Sequence, residues 1–231
     1  MSDPDANKAT AVQNAGELRS FGRRRGRKRS PRQEHLMAAV LPRLAVDLVQ
    51  PLAGTSADVW LEIGFGGGEH LVWQAVHHPG ITLIGCEPFE DGVVKVLSVV
   101  EAQGLANVRL HADDCRPLLR ALPEASIARA FVLFPDPWPK RKHVKRRLVS
   151  SALLDQLAHV MTAGAELRLA TDIGDYARTM LIALMAHPSF RWTAEGPTDW
   201  RDRPADWPPT RYQAKAIREG RPCNFFRFVR V

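Results

Sequence analysis

Two kinds of apolar spacing alternate along this chain. Short, largely apolar runs of strand length fall at 57–63, 81–86, 107–111, 128–134 and 165–170. Between them, 67–77, 90–103, 116–121, 146–160 and 174–186 carry apolar residues at helical intervals. This order predicts a doubly wound α/β fold, a mostly parallel sheet with helices on both faces. Two later apolar segments, 190–194 and 224–230, are separated by a proline-rich loop and predict an antiparallel pair at the sheet edge. Upstream, apolar positions at Leu36, Met37, Val40, Leu41, Leu44, Val46 and Leu48 have helical spacing broken by Pro42. A kinked helix or two short ones is expected there.

The first strand runs into Gly64-Phe-Gly-Gly-Gly68, and the second ends at Gly85-Cys-Glu87. Strand, glycine turn, helix, strand and acid is an arrangement in which the main chain approaches a ligand at a helix N-terminus, so Gly64 and Gly66 are candidate cofactor contacts. Glu87 stands where a carboxylate accepts hydrogen bonds from both hydroxyls of a ribose. The dinucleotide pattern fails because its third glycine falls on Glu69, and no Lys-Ser/Thr pair follows to make a P-loop. Glu62, just before the turn, would repel a pyrophosphate but suits a ligand carrying ammonium and sulfonium charge, which favours S-adenosylmethionine. The competing reading is a tight strand-to-helix turn with no ligand.

With 231 residues and 45% hydrophobic composition, the chain suffices for one α/β domain, expected at 33–231, behind a disordered polar and basic tail at 1–32. No apolar stretch has the length of a membrane span and the N-terminal residues lack a hydrophobic signal centre, so a cytoplasmic protein without membrane contact is expected. Cys86, Cys115 and Cys223 have no paired metal spacing, which predicts neither a metal site nor a disulfide framework.

Charge changes the picture more than composition does. The formal net charge is +7, concentrated in 23–29 and in 140–147. Either run alone reads as solvated surface. Together, beside an adenosine-type site, they point to a polyanion, with nucleic acid the expected partner.

Functional groups in such sheets gather at the C-terminal strand ends. The third strand ends at His111-Ala-Asp-Asp114, where Asp114 either accepts from an adenine amine or caps the next helix. The fourth ends at Phe134-Pro-Asp-Pro-Trp-Pro-Lys140. Three prolines stiffen this turn, fixing Asp136 as an acceptor and Trp138 as a flat face for a base. Asp172 ends the fifth strand, and Thr210 to Lys215 mix aromatic, cationic and hydrogen-bonding groups.

The combination of Glu62-Ile-Gly-Phe-Gly, Gly85-Cys-Glu87, Phe134-Pro-Asp-Pro-Trp-Pro-Lys140 with Lys145-Arg-Arg147, Ala170-Thr-Asp172, and Thr210-Arg-Tyr-Gln213 resembles the bacterial tRNA (guanine-N7)-methyltransferases, from about residue 33 onward. The resemblance implies a Rossmann-like class I methyltransferase fold and methyl transfer from S-adenosylmethionine to guanine 46 of tRNA. It implies Glu62, Glu87, Asp114 and Asp136 as cofactor-binding acids, with Asp136 also catalytic. Lys140, Asp172, Thr210, Arg211, Tyr212 and Gln213 match its substrate-binding positions, and Lys142, His143, Lys145, Arg146 and Arg147 its RNA-contacting run. One departure is visible: Gln213 stands where the family usually has Glu, so an amide that both donates and accepts replaces a pure acceptor. The alternative from another class is a non-catalytic RNA-binding protein that keeps the fold.

Overall fold

The computed structural model describes residues 22, 24–26 and 28–231. The expected tail at 1–32 therefore lies mostly outside the described residues. The first helix starts at Pro31, where Ser30 and Gln33 form a reciprocal cap: the Ser30 hydroxyl accepts from the Gln33 N–H and the Gln33 side chain accepts from the Ser30 N–H.

That helix, α1, joins Pro31–His35, Leu36–Val40 and Leu41–Leu44. Its middle piece is a π-turn in which the Leu41 N–H reaches back to the Leu36 carbonyl. Pro42 has no N–H and its ring crowds the preceding carbonyls, so one wider turn accommodates it, and of the two expected forms the segment is one irregular helix and not two short ones. The remaining helices are α2 (Glu69–His77), α3 (Glu90–Gln103), α4 (Cys115–Ala121), α5 (Ser151–Val160), α6 (Gly174–Ala186), α7 (Thr198–Arg201) and α8 (Arg211–Arg218). The strands are β1 (Val59–Ile63), β2 (Thr82–Cys86), β3 (Val108–His111), β4 (Ile127–Leu133), β5 (Met161–Thr171), β6 (Phe190–Trp192) and β7 (Asn224–Arg230).

They form one sheet in the order β3-β2-β1-β4-β5-β7-β6. The first five are parallel, and β7 lies antiparallel between β5 and β6. The strand order reverses at β1, which pairs with β2 on one side and β4 on the other, so the chain leaves these strands in opposite directions and opens a crevice at their C-terminal ends. Side chains alternate across β1: Val59, Leu61 and Ile63 join one buried cluster and Trp60 the other. The first cluster packs against α5 and α6, through Leu154, Leu157, Tyr176 and Met180, and the second against α1 and α3, through Leu36, Val40, Val93 and Leu97. Among the described residues no helix is long and apolar enough to cross a membrane.

Three larger departures from expectation bear on the site. β5 begins at Met161, directly after α5, because Ile127 pairs with Met161 before the register shifts and resumes at Arg129 with Glu166. The expected helix at 146–160 starts only at Ser151; Arg141–Arg146 is a 3-10 turn, and Arg147 and Val149 are drawn into the interior instead. Finally, α8 falls within the segment read as a proline-rich loop. It buries only Ala216, so hydrophobic spacing gives no sign of it, while Thr210 supplies its cap by accepting from the Gln213 N–H at 3.2 Å.

Candidate active site

The crevice beyond β1, β2 and β4 deepens into a cavity of about 520 Å³. On one wall the glycine turn is shaped by contacts of the main chain itself. Gly64 donates to the Cys86 carbonyl at 2.7 Å, tying the turn to the end of β2. Gly66 has φ +56 and donates to Glu87 Oε2 at 2.7 Å, while the Phe89 N–H donates to Glu87 Oε1 at 2.9 Å. Each carboxylate oxygen thus keeps a lone pair for a further donor, as a vicinal diol requires. Gly92, in the first turn of α3, sits so close that a Cβ there would lie 2.1 Å from the Gly66 carbonyl oxygen. This cradle fits a ribose-bearing cofactor. Burial raises the Glu87 pKa from its ordinary value, and the two main-chain N–H bonds only partly oppose that.

The opposite wall is the proline turn after β4. Phe134 and Trp138 both have positive φ, +50 and +42, which costs on the order of 1–3 kcal/mol for each non-glycine residue. Surrounding bonds hold this strain. The Phe134 N–H donates to the Ala170 carbonyl at 2.7 Å, and Arg147 Nε donates to the Pro137 carbonyl at 3.0 Å. Asp136 and Trp138 consequently face the cavity. No described group donates to the Asp136 carboxylate, and burial raises its pKa. Tyr212, from α8, closes the same cavity and stacks on Phe134 with ring centroids 6.4 Å apart.

The sequence-derived candidates separate into those at the cavity and those elsewhere. Gly64, Gly66, Glu87, Asp114, Asp136, Arg146 and Tyr212 line it. Asp114 fulfils both readings of its position: it caps α4 by accepting from the Arg116 N–H at 2.9 Å, and it remains on the wall, with Arg116 Nη1 on its Oδ2 at 2.6 Å. Asp113 turns away and pairs with Arg24. Glu62 is not on the wall. It is buried in β1 with Oε2 2.8 Å from His70 Nδ1. Asp172 Oδ2 receives both Nε and Nη2 of Arg221, at 2.8 and 2.7 Å. Arg211 lies 3.4 Å from Glu69 across the glycine turn, Thr210 is occupied as a helix cap, and Gln213 is half-buried on α8.

In the basic run, Lys140, Arg141, Lys142 and Lys145 are exposed, and His143 packs edge-on against Trp138. Arg146 lies over the Trp138 ring, 5.0 Å from its centroid. Arg147 departs from the RNA-contacting role expected of it. Its guanidinium is buried, donating to Pro137, to Thr179 Oγ1 at 2.7 Å and to Asp175, above the ring of Tyr176. It bolts the proline turn to α6. Arg147, Arg221 and His70 have structural partners 28, 49 and 8 residues away, respectively. Only the last spacing is short enough to have been noticed in the sequence.

Comparison with known proteins adds the family. A family model described as "Putative methyltransferase" matches residues 56–225. A tRNA (guanine-N(7)-)-methyltransferase of Rhodospirillum rubrum is 47% identical, covering 93% of this chain and 88% of its own. One from Ruegeria is 41% identical over 100% of this chain and 99% of its own. Among solved structures, an antibiotic-related methyltransferase aligns with a TM-score of 0.53 at 16% identity, over 78% of this chain and 90% of its own. An rRNA methylase from Streptococcus thermophilus aligns with a TM-score of 0.52 at 11% identity, over 89% and 99%. These two likenesses concern the fold, a class I methyltransferase sheet. The full-length likeness to the Rhodospirillum and Ruegeria proteins settles descent: this chain belongs to the tRNA (guanine-N(7)-)-methyltransferase family.

Proposed function

We propose that this chain methylates N7 of guanine 46 in tRNA, using S-adenosylmethionine and acting in the cytoplasm. The observation that carries the reading is one cavity with the Glu87 carboxylate, held by the Gly66 N–H, on one wall and the stiffened Asp136–Trp138 turn on the other. Exposed cations at Lys140, Arg141, Lys142 and Lys145 follow that turn directly. The names of the relatives supply the nucleoside.

When bound, S-adenosylmethionine supplies an electrophilic methyl group on a sulfonium centre. Glu87 would hold the ribose hydroxyls, and Asp114, which lines the same cavity, would accept from the adenine amine. Guanine N7 carries a free lone pair, so this chain's residues need remove no proton from the nucleophile and would have only to align it with the methyl group. Catalysis is then mainly positioning. Trp138 and Tyr212 offer faces against which the purine stacks, and Asp136 provides an acceptor and a counter-charge for the cationic N7-methylated ring. The exposed cations bind phosphate, giving affinity without sequence information. Asp172, Thr210, Arg211 and Gln213 complete the substrate side, and Glu62 acts through the geometry of the glycine turn.

The test is methyl transfer from labelled S-adenosylmethionine to unmodified tRNA, with nucleoside identification, beside a tRNA in which guanine 46 is replaced. N7-methylguanosine that disappears with the replacement is expected. Label in another nucleoside, or label that survives the replacement, overturns the reading.

A further inference from the structure

Behind the glycine wall runs a buried polar chain that the transfer chemistry leaves unused. Glu62 precedes the glycine turn on β1 and His70 follows it on α2; both side chains are almost fully buried, 3% and 2% exposed. Glu62 Oε2 is 2.8 Å from His70 Nδ1, His70 Nε2 is 3.0 Å from Gln74 Nε2, and Gln74 Nε2 also donates to the Asp206 carbonyl at 3.0 Å. Asp206 is in turn held by Arg168 Nη1 at 2.7 Å, and Trp207 packs edge-on against His70. Three residues after Trp207, Thr210 caps the helix that brings Tyr212 to the cavity.

The proton positions follow from the partners. A carbonyl only accepts, so the atom facing Asp206 is the amide nitrogen of Gln74. Its second hydrogen points to His70 Nε2, which must then carry the lone pair. The imidazole is held as the Nδ1–H tautomer, donating to the Glu62 carboxylate. One ring thus joins the two ends of the cofactor turn and continues, through Gln74, to the loop carrying the substrate wall.

We propose that His70 is a positioning residue that locks the glycine turn to the 206–212 loop, so that cofactor and guanine are set relative to each other. This rests on the function proposed above. The two halves of the link separate by substitution. His70→Asn keeps an amide N–H in the place of Nδ1 and loses the reach to Gln74, His70→Leu loses both bonds, and Gln74→Met loses only the distal one.

Affinity for S-adenosylhomocysteine is measured by calorimetry, and kcat and KM for tRNA by methyl transfer, on full-length protein whose folding is checked by thermal melting. A hydrogen bond of about 1.4 kcal/mol corresponds to about tenfold. His70→Leu is expected to weaken S-adenosylhomocysteine about tenfold, with His70→Asn recovering to within about threefold of wild type. Gln74→Met is expected to leave that affinity within about twofold while kcat/KM for tRNA falls about tenfold. Should His70→Leu fail to fold, the Gln74→Met and His70→Asn pair carries the test. Lower melting temperatures with unchanged S-adenosylhomocysteine affinity and unchanged tRNA kinetics would reduce the chain to a structural support and overturn the proposal. A wild-type protein inactive on tRNA overturns the functional reading instead, and the contrast between His70→Leu and His70→Asn still decides the proximal half.

Discussion

On the glycine wall of the cavity, Gly66 and Glu87 are joined by a main-chain N–H over 21 residues, and neighbouring turns do the rest. On the proline wall, Asp136 and Trp138 owe their place to Arg147, whose own partners lie on α6, and the nearby Asp172 is held by Arg221, 49 residues away. One wall is built from backbone geometry and the other from buried or half-buried guanidinium groups. The difference decides how each tolerates change. The glycine wall has no spare room, because the start of α3 at Gly92 lies directly against the Gly66 carbonyl and two main-chain N–H groups grip the Glu87 carboxylate. A guanidinium wall spreads its bonds over several acceptors, so losing one loosens the wall before it removes it.

The sharpest way to break this contrast is Gly92→Ala. The new Cβ would meet the Gly66 carbonyl oxygen at 2.1 Å, and since that oxygen belongs to the main chain, either the turn or the start of α3 must move. Losing the Gly66 bond to Glu87 and one ribose bond, at about 1.4 kcal/mol each, corresponds to about 100-fold in affinity. S-adenosylhomocysteine affinity is expected to drop about 100-fold with stability reduced by about 1–3 kcal/mol, as for other overpacked sites. Calorimetry beside a denaturant titration checks both. Near-wild-type affinity would show that the glycine wall yields.

A smaller effect is expected from Arg147→Met. Removing the bonds to Pro137 and Thr179 is expected to cost about 1–3 kcal/mol of stability and to lower kcat about tenfold, leaving S-adenosylhomocysteine affinity little changed. Because Arg147 is buried, the slope of log tRNA affinity against log salt should stay as in wild type. Lys145→Ala removes an exposed cation and should reduce that slope by about 0.7–0.9. An Arg147 variant whose salt slope falls like that of Lys145→Ala would return Arg147 to the RNA surface.

The same contrast explains what the sequence disclosed. All seven strands and the helices α2 to α6 were legible, since buried parallel strands and amphipathic helices write their spacing into consecutive residues. The glycine turn, Glu87 and the Asp136 turn meet at one cavity, as their places at the C-terminal ends of β1, β2 and β4 led one to expect. Arg147 was misplaced because a run of cations looks uniform in sequence, and only the fold tells Arg147, against Asp175 and Tyr176, from Lys145 in solvent. Arg221 and the α8 helix left no trace, one because the acid it holds at the end of β5, Asp172, is 49 residues away while its partner in sequence is Glu219, and the other because it is short and buries only Ala216. Glu62 stands at the expected turn, with its carboxylate on buried His70 and not among the residues lining the cavity, a partner that strand position alone does not disclose.

The smallest expected effect concerns protons on the glycine wall. Burial raises the folded pKa of Glu87 above its ordinary value, so between the two values the folded chain holds a proton that the unfolded chain has lost. Stability therefore decreases as pH rises through that window, and ionised Glu87 is a standing cost above it. Ribose hydroxyls donating to the carboxylate favour its charged form and pull the pKa back down. Cofactor binding should then release a fraction of a proton at acidic pH, within the window opened by that shift, and essentially none well above it, where the carboxylate is ionised with or without ligand. Calorimetry with S-adenosylhomocysteine in two buffers of different ionisation enthalpy measures it, and Asp136, raised by burial on the other wall, adds to the release if its desolvation is also relieved. Net proton uptake at the lower pH would mean that the ligand buries Glu87 further without donating to it, and the glycine wall would lose its claim to the ribose.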